Sequence, residues 1–324
     1  MNSFNISVII PVYNADKFIQ KAIESAVNQE FVSEVLVVND NSTDNSVRII
    51  KEIQKSHPSI RLIEHKFDYN VGAGEARNIG VNSAINNWLA FLDVDDYYYD
   101  NRFENAVEII RNNPDADGVY EAVENVFENQ TAERNYYTTR PERYKTGVLG
   151  SKINLFTTDF KIEPNALSKC LILGNDGFIH LNGLVIRKTL LVKAGVFNVN
   201  LKLTQDTDIL FKLSALGRLE PGNIDTPVSA RLVHQGNRIY SNADELNYYT
   251  AILFSDLKEW CVKKKINSDL LNVVNEQTIK FCAKKILKIN LYTKPYRVKF
   301  FLIGLFQSFL LKRFIDKKST IYQK

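Results

Sequence analysis

Asp93, Asp95 and Asp96 stand within four residues at the end of an apolar run, in "WLAFLDVDD" (88–96). Carboxylates this close repel one another, and burying them together costs solvation, so open water or a cation must offset the charge. A hard divalent cation such as Mg²⁺ or Mn²⁺ takes one or two carboxylates together with substrate phosphate oxygens and waters. The alternative for this stretch is an exposed acidic turn. Two further signals share the same placement. Asp40 follows the apolar run "EVLVVN", and the glycine-containing segment 72–80 follows "IRLIEH". In an open parallel sheet, ligands bind at the carboxyl ends of the strands. Several carboxylates gathered there suggest a metal-bridged diphosphate rather than one cradled by backbone amides.

The elements that must position these residues alternate regularly over the first hundred residues. Apolar, β-branched runs at 6–13, 34–40, 60–65 and 88–94 are predicted strands. Helical periodicity fills 17–29, 43–56, 74–87 and 101–113 between and after them. Strands alternating with helices of this length imply parallel β-α units with right-handed crossovers. Runs without strict alternation suit strands covered on both faces. From about 120 to 180 the periodicity fades into a polar, aromatic stretch predicted to be irregular. A strand and helix are expected over 180–195, an amphipathic helix over 204–217 stopped by Gly217, a strand after Pro227, and mostly helix from about 243 onward.

Composition narrows the class. A chain of 324 residues, 45% apolar and 24% charged, suits a large α/β domain with an appendage, or two domains. Cys170, Cys261 and Cys282 are far apart and lack nearby histidines at metal spacing, which argues against a disulfide framework or zinc site and for a reducing compartment. The amino terminus shows no secretory leader, so the expected location is the cytoplasm or the inner face of a membrane. The first strand turns through "PVYNAD" without the glycines of a dinucleotide fingerprint, and no P-loop occurs. "DNSTDN" (40–45) lacks the glycine and terminal glutamate of an EF-hand loop. Charge is unevenly spread. Residues 284–324 carry eleven Lys/Arg and one acid, about +10, which leaves about −6 for residues 1–283 out of an overall +4.

Four motifs occur in order: "VIIPVYNADKFIQKAIESAVNQ", "VLVVNDNSTDNS", "NVGAGEARNIGVNSA" and "WLAFLDVDD". Together they resemble the family 2 glycosyltransferases over residues 6–104. The third fits the family pattern N-x-G-x-x-x-A-R-N-x-G at Asn70, Gly72, Ala76, Arg77, Asn78 and Gly80. "TQDTDILFKL" (204–213) resembles the family's acidic motif before a helix, extending the likeness to about residue 235. The resemblance implies a GT-A-type, Rossmann-like α/β fold, a mostly parallel sheet flanked by helices. The expected domains are a nucleotide-sugar half (1–115), an acceptor and catalytic-base half (116–235), and a basic helical carboxyl-terminal extension (236–324).

The implied activity is inverting transfer of a sugar from a nucleotide-diphosphate donor, with UDP favoured over GDP and dTDP. The implied acceptor is a hydroxyl of a carbohydrate or lipid-linked molecule. Pro11, Val12 and Tyr13 would line the base pocket, and Asp40 would accept from a base ring N–H. Arg77 would lie near base and phosphates, and Asp93 near the ribose. Asp95 would hold the divalent metal, Mn²⁺ or Mg²⁺, with His234 touching the metal or diphosphate. Asp206 would be the general base, with Asp208 as its alternative. Two departures from the family pattern stand out. Asn39-Asp40-Asn41 replaces the usual aspartate pair and glycine, a turn that asparagine's tolerance of positive φ can preserve. Gln205-Asp206 replaces the usual Glu-Asp. The alternatives are a nucleotidyltransferase of similar fold, whose glycine-rich basic first loop is missing, and a catalytically silent nucleotide-sugar-binding scaffold.

The segment 294–318 places a nearly apolar stretch, 300–311, between basic flanks. As a helix those twelve residues reach about 18 Å, too short to span a bilayer core of about 30 Å. An interfacial helix on an anionic membrane is the expected partner contact. Nucleic acid is not, because large apolar residues separate the basic clusters.

Overall fold

The computed structural model describes residues 4–139, 154–174, 176–237 and 243–287. The segment 294–318 lies outside them. The chain forms two compact units, 1–241 and 242–324.

The first unit is built on a seven-stranded sheet. Its strands are β1 (Ile6–Val12), β2 (Val32–Asn39), β3 (Ile60–Glu64), β4 (Trp88–Phe91), β6 (Gly118–Tyr120), β9 (Leu184–Arg187) and β10 (Leu219–Pro221). Their order is β10-β6-β9-β4-β1-β2-β3. β1 pairs in parallel with both β2 and β4, and β2 with β3. β9 runs antiparallel between β4 and β6, so the sheet is mostly but not wholly parallel. The intervening helices are α1 (Ile19–Val27), α2 (Ser46–Gln54), α3 (Ala73–Ser83) and α4 (Glu104–Asn112). Every residue of β1 is buried, which is why its sequence is a continuous apolar run: helices cover both faces. After β3 the chain returns to the other side of β1 to form β4. That reversal makes the carboxyl ends of β1 and β4 the switch point of the sheet, the place where open α/β sheets bind ligands.

The stretch expected to be irregular contains more order than its sequence suggested. β7 (Val123–Phe127), α5 (Gln130–Thr139), β8 (Leu155–Phe156) and α6 (Pro164–Leu173) lie within it. A second sheet, ordered β5-β11-β7-β8, joins β7 and β8 to β5 (Tyr97–Tyr98) and β11 (Ser229–Val233). Strands of two to five residues, paired across large sequence separations, leave almost no periodic signal. The remaining helices of this unit are α7 (Lys188–Ala194) and α8 (Gln205–Leu216). The Tyr97–Tyr99 run belongs to the framework. Tyr98 is buried, its hydroxyl donates to the Phe91 carbonyl at 2.7 Å, and its ring meets Phe103 edge-on.

The second unit holds α9 (Ala243–Lys263) and α10 (Ser268–Leu287), which pack together with the Phe254 and Phe281 rings stacked 5.0 Å apart. Among the described residues no helix is long and apolar enough to cross a membrane.

One buried ion pair ties α4 to the sheet. Arg102 Nη1 donates to Glu121 Oε2 at 2.8 Å, with both side chains fully buried, and Arg102 Nε donates to the Asn182 carbonyl at 3.0 Å. Removing one partner strands the other charge in a medium that solvates it poorly. Arg102→Met is expected to lower the unfolding free energy of this unit by about 3–5 kcal/mol, with Arg102→Met/Glu121→Leu recovering most of the loss. Urea unfolding checks this, and a single-variant loss below about 1 kcal/mol would contradict it.

Candidate active site

Three carboxylates leave the end of β4 in one turn, closed by a hydrogen bond from the Asp96 N–H to the Asp93 carbonyl at 3.0 Å. Each has a different partner set. Asp96 is buried: Oδ2 accepts from Asn182 Nδ2 at 2.7 Å and Oδ1 from the Leu232 N–H at 2.8 Å. Burial, then the charges of Asp95 and Asp93, push its carboxyl well above the usual carboxylate range. Asp93 faces Arg77, whose Nη2 donates to Oδ1 at 2.5 Å. Burial opposes the charge on Asp93, but Arg77, His180 and Arg231 together outweigh it and hold the carboxyl below its ordinary value. Asp95 is 27% exposed at its side chain and lies 3.1 Å from His234 Nε2, with Asn237 Nδ2 donating to the same oxygen at 3.1 Å.

The glycine-containing motif explains itself through packing. Asp40 accepts at Oδ1 from the Val71 N–H (2.7 Å) and at Oδ2 from the Gly72 N–H (2.8 Å), and its Oδ1 is 3.0 Å from His65 Nε2. Gly72 has φ +90°, a conformation L side chains rarely adopt. A Cβ on Gly74 would meet the Gln205 side chain at 2.3 Å, and one on Gly80 would meet Ile9 at 2.5 Å, so α3 lies against both α8 and β1. Asn78 makes a two-way bond with Phe197, donating to its carbonyl (3.0 Å) and accepting from its N–H (2.9 Å). Arg77 lies 5.4 Å from the Phe197 ring. Asn41 adopts φ +60°, so the turn survives without the glycine usual at that position.

The sequence-expected residues separate by environment. Val12 is a core side chain, and its carbonyl accepts from the Asp40 N–H at 2.8 Å; Pro11 is buried in β1 as well. Of that trio Tyr13 is the exposed one, at 43%. Asp40 is 2% exposed, and each of its oxygens accepts a backbone N–H from the loop before α3. Asp206 opens α8 half-buried, its Oδ1 accepting from the Thr207 N–H at 2.8 Å. Asp208 points inward, fully buried, and bonds Lys212 at 2.6 Å. Of the two, only Asp206 is partly exposed to solvent. Thr204, just before α8, has φ +65°, an unusual state for a β-branched residue, held where Gln205 packs under Gly74.

Two residues at the centre had no sequence signal. His180 precedes a short 3₁₀ turn (Leu181–Gly183), and its Nδ1 accepts from the Asn182 N–H at 3.3 Å. Asn182 also accepts at Oδ1 from the Asp93 N–H at 3.3 Å. Both lie ahead of β9, the inserted antiparallel strand, whose placement beside β4 is a tertiary fact invisible in local pattern.

Two groups could hold a cation. At Asp95 and His234 the facing oxygen and nitrogen stand 3.1 Å apart. Neighbouring ligands of an octahedral ion with bonds of about 2.1 Å stand about 3 Å apart, so the pair fits Mg²⁺ or Mn²⁺. Gly236 N–H donates to His234 Nδ1 at 3.2 Å, leaving Nε2 as the nitrogen that would ligate. The other group is Asp93, Asp96 and His180, with ligand atoms within 4.8 Å of one another. It fits less well, because both Asp96 oxygens already accept protein hydrogen bonds.

Comparison with known proteins bears on this arrangement. Residues 7–170, half of the chain, match the model for glycosyl transferase family 2. An uncharacterized glycosyltransferase of Escherichia coli strain K12, YibD, is 42% identical over 106 residues, which are 32% of this chain and 30% of the relative. The uncharacterized glycosyltransferase RT0329 of Rickettsia typhi is 26% identical over 322 residues, covering 96% of this chain and 90% of its own. The match thus spans about a third of the first relative and most of the second. Among solved structures, Staphylococcus aureus TarS 1–349 in complex with UDP-GlcNAc aligns at TM-score 0.61 and 19% identity, over 90% of this chain and 78% of that one. The mannosyltransferase PcManGT of Pyrobaculum calidifontis, in complex with GDP-Man and Mn²⁺, aligns at TM-score 0.52 and 16% identity, over 96% and 83%. At these identities the two structures show a shared fold.

The Asp40 clamp yields a direct expectation. Asp40→Ala removes the acceptor for two backbone N–H groups, and stability should fall by about 1–3 kcal/mol. Hydrogen exchange at Val71 and Gly72 should accelerate while β1 and β4 amides stay protected. Unchanged exchange at those two amides would show that the clamp does not hold the loop.

Proposed function

Because the chain belongs to glycosyl transferase family 2 and has the GT-A-type α/β fold, we propose that it is an inverting glycosyltransferase. Its donor in this reading is a nucleotide-diphosphate sugar, UDP-linked by preference. Its acceptor is a hydroxyl of a carbohydrate or lipid-linked molecule, in surface polysaccharide or glycolipid synthesis. The observation that carries this reading is that Asp93, paired with Arg77, and Asp95, paired with His234, share one turn at the switch point of the sheet.

The roles follow from environment. Tyr13, exposed at the end of β1, offers a ring face to the base, with Pro11 and Val12 forming the floor beneath. Asp40 sets the loop 65–72 at the pocket's edge, in addition to its expected contact with the base. Arg77 and Asp93 address the phosphates and ribose. Asp95 and His234 would hold Mn²⁺ or Mg²⁺, which supplies charge stabilisation for the departing diphosphate. Asp206 accepts the proton of the acceptor hydroxyl as its oxygen bonds the anomeric carbon. The bond from that carbon to the diphosphate oxygen breaks, its electron pair leaving with the diphosphate on the opposite face, so the configuration inverts. The basic segment 294–318 supports an anionic membrane surface as a further partner, which would bring a lipid-linked acceptor within reach.

Calorimetric titration of UDP, GDP and dTDP, each with Mn²⁺ and with EDTA, tests the donor class. One nucleotide, UDP by this reading, should bind in the presence of Mn²⁺, and Asp95→Ala should abolish that binding. If no nucleotide binds under either condition, the donor assignment fails. Asp206→Asn should lower turnover roughly 10²- to 10⁴-fold with donor affinity near wild type. An unchanged rate would remove Asp206 as the base.

A further inference from the structure

We propose that His180 is a substrate-contacting residue, its Nε2–H donating to a hydroxyl of the sugar being transferred, beside the turn that carries Asp93. The inference rests on the transferase reading above and names a residue to which that reading gives no role.

The argument begins with the tautomer. The Asn182 N–H donates to Nδ1 at 3.3 Å, so the neutral imidazole carries its proton on Nε2. The ring is fixed from two sides. Phe156 lies 5.4 Å away, and Asn182 is itself held at its carbonyl by Arg102 (3.0 Å) and at its side chain by Asp96 (2.7 Å). Among the described residues no acceptor engages Nε2. One ring nitrogen lies within 4.8 Å of the oxygens of Asp93 and Asp96. Burial is the main influence on the ring and lowers its pKa to about 4; Asp93 and Asp206 pull upward and Arg231 and Arg77 downward. The ring therefore stands beside the turn that carries Asp93, on the donor side of the site. At neutral pH it stands there uncharged, a fixed N–H donor that adds no positive charge beside Arg77 and Arg231. Sugar hydroxyl oxygens are the acceptors such a site would take. A half-buried donor fixed for a hydroxyl also discriminates against ligands lacking it.

The test compares UDP with UDP-glucose and UDP-N-acetylglucosamine by calorimetry with Mn²⁺, on wild type, His180→Ala and His180→Gln. Mn²⁺ binding without nucleotide is followed by electron paramagnetic resonance, and melting curves confirm that the variants fold. UDP affinity should stay near wild type. The affinity for the nucleotide sugar relative to UDP should fall roughly 3- to 10-fold in His180→Ala, with His180→Gln recovering part through its amide N–H. Equal losses for UDP and UDP-sugar, or no change in either, would overturn the assignment. Loss of Mn²⁺ binding in His180→Ala would instead make the residue a metal ligand and overturn it too. A wild type that binds none of the nucleotide sugars brings down the donor reading and this inference together, whereas normal wild-type binding with unmoved variants brings down only the inference.

Discussion

The molecule is organised around the repulsion among Asp93, Asp95 and Asp96. No single neighbour could relieve three carboxylates in one turn, and each is answered from a different part of the chain. Arg77 on α3 meets Asp93. His234 and Asn237, just beyond β11, meet Asp95. Asn182 and the Leu232 N–H absorb Asp96. The turn is therefore where α3, the second sheet and the segment before β9 are joined. Burial and the neighbouring charges favour the protonated form of Asp96, the joint, while Arg77 favours the charged form of Asp93. Burial divides them in the same sense: the one most enclosed is the one whose proton is hardest to remove.

Most of the motif residues act on the framework and only indirectly on a substrate. Gly74 and Gly80 admit α8 and β1 to close approach, and Asn78 fixes Phe197, which lies along the way to α8. Asp40 closes the loop before α3 with two backbone N–H bonds. Through these contacts α3 becomes a ruler between the turn after β4 and the start of α8. The separation of Asp93 from Asp206 is set by packing on a rigid helix, which is how a site can be held to the tolerances that group transfer needs.

That division governs what the sequence could disclose. The alternation of apolar runs and amphipathic helices over the first hundred residues reports burial directly, because β1, β2 and β4 are covered on both faces and leave no other pattern possible. Asp93 and Asp95 stand out in the sequence because acids ending an apolar run are costly to bury, and the structure pairs them with Arg77 and His234. Asp208 and Asp206 could not be separated from sequence, since the same first turn of α8 holds both; only the burial of Asp208 against Lys212 tells them apart. The strand expected after Pro227 is β11, but the second sheet it joins stayed hidden, because the partner strands are too short to show a period and the pairings cross from Tyr98 to Ser229 and from Val123 to Phe156. His180 and Asn182 stayed hidden with it. Their importance comes from β9 entering antiparallel beside β4, and nothing in "IHLNGLVIR" announces that neighbour.

The same physics bears on why Gln205 stands where an acid is usual. Its side chain is buried under Gly74, and its Oε1 lacks a hydrogen-bond partner. A glutamate there would place a carboxylate oxygen in that enclosed position, beside Asp206 and, among the described residues, without a hydrogen-bond partner, at the cost of a poorly solvated charge and of repulsion on its neighbour. Glutamine keeps the length and shape that prop α3 against α8 and removes the charge. The positive φ of Thr204 fits this account, since a strained residue persists only where the packing around it is over-determined. A strained residue, a neutral prop and a half-buried carboxylate follow one another at Thr204, Gln205 and Asp206, so the neighbours of Asp206 anchor the helix while its own side chain stays partly exposed.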